Sequence, residues 1–286
     1  WVSRRIAQEQ QVASINPCAQ QTALPWSFCH ARPRTPSVCR SQTHISPNLL
    51  NMKISPISWS FSKAQDFQRC KLAYKIKHID KVPEPERPLP KGKTEHGNDR
   101  GSRIHDNIET YIRGEHDALC EEADKHFGIH IDLLRVLYQD GMVEMEGEWA
   151  FSEDWEVAEW KAGYLRMKLD VLVKVSPTQA IVGDWKSGRH FGNEVVHANQ
   201  LNLYAVATFL RHPELEEISV ADYYIDHGKT TERVFTREQA LRYRRTFDKQ
   251  GKDITSCTSF PANPNKFSCQ WCPWGETGHC QVSAKK

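Results

Sequence analysis

The sequence predicts an α/β fold, a mixed β-sheet flanked by helices. Three observations carry that expectation. In YLRMKLDVLVKV (164–175), apolar Leu165, Met167, Leu169, Val171, Val173 and Val175 alternate with Arg166, Lys168, Asp170, Leu172 and Lys174, the period of a strand with one buried face. Stretches of helical periodicity stand on both sides of this strand pattern. Their order is helices, a β-meander, a helix, two strands and a helix, and a Cys-rich tail closes the chain.

The elements follow in order. FSKAQDFQRCKLAYKIKHI (61–79), preceded by serines, reads as one capped helix with Phe61, Phe67, Leu72 and Tyr74 available for packing. KVPEPERPLPKGKTEHGND (81–99) is too rich in proline for a helix. RGSRIHDNIETYIRG (100–114) places Ile104, Ile108, Tyr111 and Ile112 on one side, and ADKHFGIHIDLLRVLYQDG (123–141) ends at a glycine stop. MVEMEGEWAF (142–151) is the first strand candidate. The alternating strand comes next, then a Ser-Pro-Thr turn and a return strand, QAIVGDWKSG (179–188). NEVVHANQLNLYAVATFLRH (193–212) is a helix, strands are expected near 218–226 and 230–236, and TREQALRYRRTFDKQGKDI (236–254) is the last long helix. No internal repeat is evident.

Residues 1–51 differ from the rest. They hold five Lys/Arg against one acid, Glu9, with cysteines at 18, 29 and 39, and the first Met is Met52. Two readings compete: an organellar transit peptide, or translated upstream sequence ahead of a working protein that starts at Met52. The second is preferred, with the leader disordered and residues 52–286 forming a single domain. The whole chain carries +2 and the leader +4 of it, leaving −2 for residues 52–286. Global charge therefore gives no reason to expect a nucleic-acid partner, and any such binding must rest on a local patch. No run approaches the roughly 18 apolar residues of a membrane span.

Chemistry concentrates in IVGDWKSG (181–188). A turn centred on Pro177 pairs residues whose numbers sum to 354, which sets Asp170 opposite Asp184. Opposed like charges destabilise a ladder. Period 2 puts Asp184 and Lys186 on one face and Trp185 on the other, toward the core. The bland reading is that Lys186 neutralises two acids at a strand end. The paired acids favour a hard, oxygen-preferring cation between them, such as Mg²⁺, with Lys186 orienting or activating a water.

LDVLV and IVGDWKSG, preceded by RGSRIHDNIETYIRG and followed by NQLNLYA, resemble the PD-(D/E)XK nuclease superfamily in its RecB-like exonuclease branch. The likeness spans most of residues 55–282 in order and implies a restriction-endonuclease-like core. It implies Mg²⁺ or Mn²⁺ on Asp170, Asp184, the Trp185 backbone carbonyl and His105, with Lys186 catalytic. It also implies a supporting, backbone-contacting role for Gln200 and Tyr204, which share a helix face at i, i+4. His105 alone would read as structural or solvated, and Glu109, one turn on, could orient its ring. Glu146 and Glu148 sit where the family often has a glutamate on the first core strand; Glu148 is taken as the candidate.

Nine cysteines occur in all. Cys269, Cys272 and Cys280 have ligand spacing, with Trp271 and Trp274 bulky enough to shield a metal. A fourth ligand is needed: Cys70, or else His279 or Cys257. One upstream cysteine plus three near the C-terminus is similar to RecB-like nucleases of the AddB and CRISPR-associated types, whose [4Fe–4S] cluster staples the two ends. Zinc is the alternative, and 257–282 is then a metal-binding tail. Cys120 reads as a packed thiol. Arg242, Arg244 and Arg245 could touch a nucleic-acid backbone or simply be solvated.

The resulting expectation is a metal-dependent DNA exonuclease of recombination, repair or phage DNA processing. It would be cytoplasmic, with organellar import a lesser alternative, act on DNA ends, and work with a helicase or recombination partner. Two rivals are a non-catalytic nucleic-acid-binding protein with a zinc or Fe–S element, and a site-specific endonuclease of the same fold.

Overall fold

The structure, a computed structural model, describes residues 58–275 and 277–283. The expectations for 1–51 and for a start at Met52 lie outside those residues. The described chain runs α1 (Phe61–Arg69), α2 (Lys71–Tyr74) continued by a π-helical turn (Lys75–Ile79), α3 (Gly97–Arg113), α4 (Glu121–Gln139), β1 (Val143–Phe151), β2 (Leu165–Ser176) and β3 (Gln179–Lys186). It continues with α5 (Glu194–Arg211), β4 (Glu217–Tyr224), β5 (Lys229–Thr236), α6 (Arg237–Leu241), α7 (Arg244–Thr255) and α8 (Lys266–Gln270). None of the described helices is long and apolar enough to cross a membrane.

The five strands lie in the order β1-β2-β3-β4-β5. Neighbours are antiparallel except β3 and β4, which are parallel and joined by the α5 crossover. The sheet is therefore mixed and flanked by helices, the α/β core that the element order implies. One core cluster gathers α1, α5, α6 and α7 with the sheet, including Phe67, Leu201, Phe209, Val220 and Phe247. The other gathers α3 and α4 through Ile104, Ile108, Ile112, Phe127 and Ile131.

Local chemistry explains the boundaries. The Ser60 hydroxyl accepts from the Lys63 N–H at the start of α1. At the end of α3, Gly114 takes φ 79°, the left-handed stop that glycine permits. Thr236 and Gln239 form a reciprocal capping box on α6.

Two expected helices prove to be broken. The stretch 61–79 is interrupted at Cys70, whose φ −163° and ψ 113° are extended backbone. The stretch 236–254 divides into α6 and α7 around Arg242 and Tyr243. In both, helical periodicity continues across the break, so the pattern alone does not reveal it.

The alternating stripe of β2 also divides. Leu165, Met167 and Leu169 join the α5–α7 side, whereas Val171 and Val173 join the α3–α4 side. The change falls between the pairs Gly147↔Leu169 and Met145↔Val171. There Glu146 takes a left-handed φ of 47°, and β1 makes the same change of side.

Candidate active site

Three adjacent strands each bring one aspartate to the same level of the sheet. Val171 faces Gly183 in the β2–β3 ladder, the register implied by a turn at Pro177, and Asp170 follows one step on. The Trp185 N–H donates to Asp170 Oδ2 at 2.7 Å, which locks the two strands together at the site. Across the parallel ladder, Asp184 faces Asp222. All three carboxylates are buried, Asp222 to 1% exposure. The Trp185 ring packs behind them, against Phe127 and Tyr223.

Lys186 is the cation among these acids. Its ammonium pairs with Asp184 Oδ2, lies 3.9 Å from Asp222 Oδ1, and donates to Gln200 Oε1 at 2.9 Å. Gln200 Nε2 donates to the Tyr204 hydroxyl at 2.7 Å, and that hydroxyl, with its one proton, donates to Asp184 Oδ1 at 2.8 Å. Because Gln200 and Tyr204 lie i, i+4 on α5, they hold the lysine and the acid from the same side.

His105, from the middle of α3, places Nδ1 3.3 Å from Asp170 Oδ2. Glu109 does not orient its ring: it pairs with Arg113 at 2.7 Å. His105, Glu146 and Asp170 hold ligand atoms within 4.8 Å of one another, and they are the one such group of three or more among the described residues. The left-handed Glu146 thus turns into the site. Glu148 stands half exposed, paired with Lys168 at 3.0 Å.

The electrostatics are those of an acid cluster held by two cations. Burial and the charge of Asp184 push the Asp170 carboxyl up, against the opposing pull of His105 and the Trp185 amide. Burial, then Asp170 and Glu109, raise Glu146. Burial also raises Asp222, to about 7, with Lys186 opposing and Asp184 and Asp170 reinforcing. Burial works against a charged His105, but Asp170 and Asp184 outweigh it and push the imidazole up to about 9. In Lys186, burial is likewise overcome by Asp184 and Asp222, so the amine is held above its usual range as an ammonium. Buried carboxylates with one imidazole are a hard, anionic donor set that suits a divalent cation of the Mg²⁺ or Mn²⁺ kind.

Asp222 has no counterpart among the expected residues. Its signal is an acid inside an otherwise apolar strand, ISVADYYI (218–225). The sequence points to Glu148 as the candidate of the first strand; the structure instead brings Glu146 to the site, because its left-handed backbone turns it inward while Glu148 faces solvent. Arg242 and Arg244 are engaged elsewhere: Arg242 with Glu238, and Arg244 with the Asp154 carbonyl.

The cysteines assemble at a second place. Cys70, Cys269, Cys272 and Cys280 line one cavity with Leu72, Ile76 and Trp274. The break at Cys70 sets its sulfur there, where it accepts from the Asn263 N–H. Cys257 instead donates to the Ser259 carbonyl, and His279 bonds Thr277. Cys120 is half-buried against the α3–α4 core.

Acids at the ends of central strands, a lysine two residues past one of them, and a helical histidine define a nuclease core. The model of the PD-(D/E)XK nuclease superfamily matches residues 58–277, and the chain belongs to that superfamily. Among solved structures it is similar to the protein SSO0001, at 16% identity over 74% of this chain and 95% of that one, with a TM-score of 0.29. It is also similar to a candidate exonuclease from Eubacterium rectale, at 10% identity over 81% and 92%, with a TM-score of 0.40. No curated protein matches the chain.

Proposed function

We propose that this nuclease is a metal-dependent exonuclease acting on DNA ends in recombination, repair or phage DNA processing. One observation carries the reading: His105, Glu146, Asp170, Asp184 and Lys186 converge on one level of the sheet. Asp170, Asp184, His105, Glu146 and the Trp185 carbonyl would hold Mg²⁺ or Mn²⁺, which would supply Lewis-acid activation of a water and of the phosphoryl group. Lys186, held as an ammonium, donates to the phosphoryl oxygen on which charge builds. Gln200 and Tyr204 keep Lys186 and Asp184 in place, and His105 steadies Asp170.

The test compares linear and closed circular DNA, with Mg²⁺ or EDTA, for the wild type and Lys186→Ala. Linear DNA should be degraded only with Mg²⁺, circles should survive, and Lys186→Ala should lower the rate by roughly 10²–10³-fold. Cleavage that persists in EDTA, or that runs at the wild-type rate in Lys186→Ala, sinks the mechanism. Cut circles would make the protein an endonuclease.

The cysteine cavity reads as the seat of a [4Fe–4S] cluster. Its four thiols come from both ends of the described chain. Four thiolates from two distant stretches of chain can ligate such a cluster, with zinc the alternative. Purified protein should be brown, with iron and not zinc in its metal analysis.

A further inference from the structure

Asp222 has a property that nuclease chemistry at Asp170 and Asp184 does not use. It is 1% exposed on an apolar strand, between Val220 and Tyr224, both buried. Neither of its carboxylate oxygens accepts a hydrogen bond. A buried carboxylate with no donor is costly, and an apolar residue of similar size would be more stable at this position. What faces it is the site: Asp184 across the parallel ladder and the Lys186 ammonium at 3.9 Å.

Lys186 now rests on Asp184 and Gln200. Asp184 is also a proposed ligand of the divalent cation, so the ammonium and the cation contend for one carboxylate. Two like charges on the same buried acid repel strongly. The conflict is relieved if the ammonium leaves Asp184 for a second anion within reach of its long side chain. Asp222 is that anion, close to Lys186 and free of other hydrogen bonds.

We propose that Asp222 is a positioning residue, the second counter-ion of Lys186, which receives the ammonium when a divalent cation takes Asp184. This rests on the metal reading of the site. Asp222 itself touches neither substrate nor cation. It clears Asp184 for the cation and keeps the lysine charged and aimed from the far side of the β3–β4 ladder.

The test is a double-mutant cycle on Mn²⁺ binding, measured by titration calorimetry on the full chain. The variants are Asp222→Asn, Lys186→Met and the two combined, each checked for folding by circular dichroism. With Lys186 present, Asp222→Asn should weaken Mn²⁺ binding about tenfold, because the ammonium stays on Asp184. In Lys186→Met the same substitution should change it less than about twofold. Asp222→Asn should also lower kcat for DNA cleavage while leaving KM unchanged. An equal loss of Mn²⁺ affinity in both backgrounds would mean that Asp222 acts directly on the cation, and would overturn the proposal alone. No loss in either background would overturn it as well. Wild-type protein that binds no Mn²⁺ would bring down the metal reading and this inference together.

Discussion

Glu146 and Glu148, two positions apart in one strand, differ in what their backbones do. Alternation puts both on one face, and the sequence has no means of separating them. The left-handed φ of Glu146 turns its carboxylate to His105 and Asp170, while Glu148 stays in solvent against Lys168. Glu146→Gln should therefore weaken Mn²⁺ binding by about tenfold or more, and Glu148→Gln should leave it within about twofold; calorimetry reads both. Asp170 and Asp184 were legible because a short turn fixes a hairpin register from local sequence. Asp222 was not, because its neighbour Asp184 is reached through a parallel ladder and the whole α5 crossover. No local rule counts that register.

At the scale of elements, the break at Cys70 matters most. It turns the chain between α1 and α2, and Asp66 then binds the two parts together. Its carboxylate meets His78 at 2.9 Å and Lys77 at 3.5 Å, both on the π-helical turn, as well as Arg69. Burial opposes the charged form of Asp66, but His78, Lys77 and Arg69 outweigh it and hold the carboxyl below its usual value. Between the folded and unfolded values the unfolded chain binds a proton that the folded one does not, so stability rises with pH there. The contribution is complete above about pH 4 and disappears as the pH falls through the folded value. Asp66→Asn should cost about 1 kcal/mol at pH 7 and progressively less as the pH falls below about 4, measured as the gap between urea midpoints. The helices themselves were readable from their apolar spacing. Their interruptions were not, since they answer to contacts such as Cys70 with Asn263 that lie far away in sequence.

Across the whole molecule, the first and last described segments meet at the four cysteines, while the nuclease site sits on the central strands. The two centres make separable claims. Cys280→Ser should bleach the protein and lower its thermal midpoint by at least about 5 °C. Lys186→Ala should leave the colour unchanged, while loss of its ammonium from among buried carboxylates lowers the midpoint independently of the cysteines. Scanning calorimetry and visible absorption test the pair. The α/β architecture was legible because the order of periodicities is itself a topology. The two-sided use of β2 was not, since its apolar alternation runs unbroken from Leu165 to Val175.

The left-handed backbone at Glu146 has a consequence for anyone who would engineer this protein. A non-glycine residue in that conformation costs about 1–2 kcal/mol, and burial penalises this carboxylate further. Glu146→Gly would relieve both at once, so a screen that rewards heat resistance alone should select it early. The survivors would be sturdier proteins that lack one ligand of the proposed metal site. Robustness and activity are set against each other at a single residue, and only a selection that scores both would keep the glutamate.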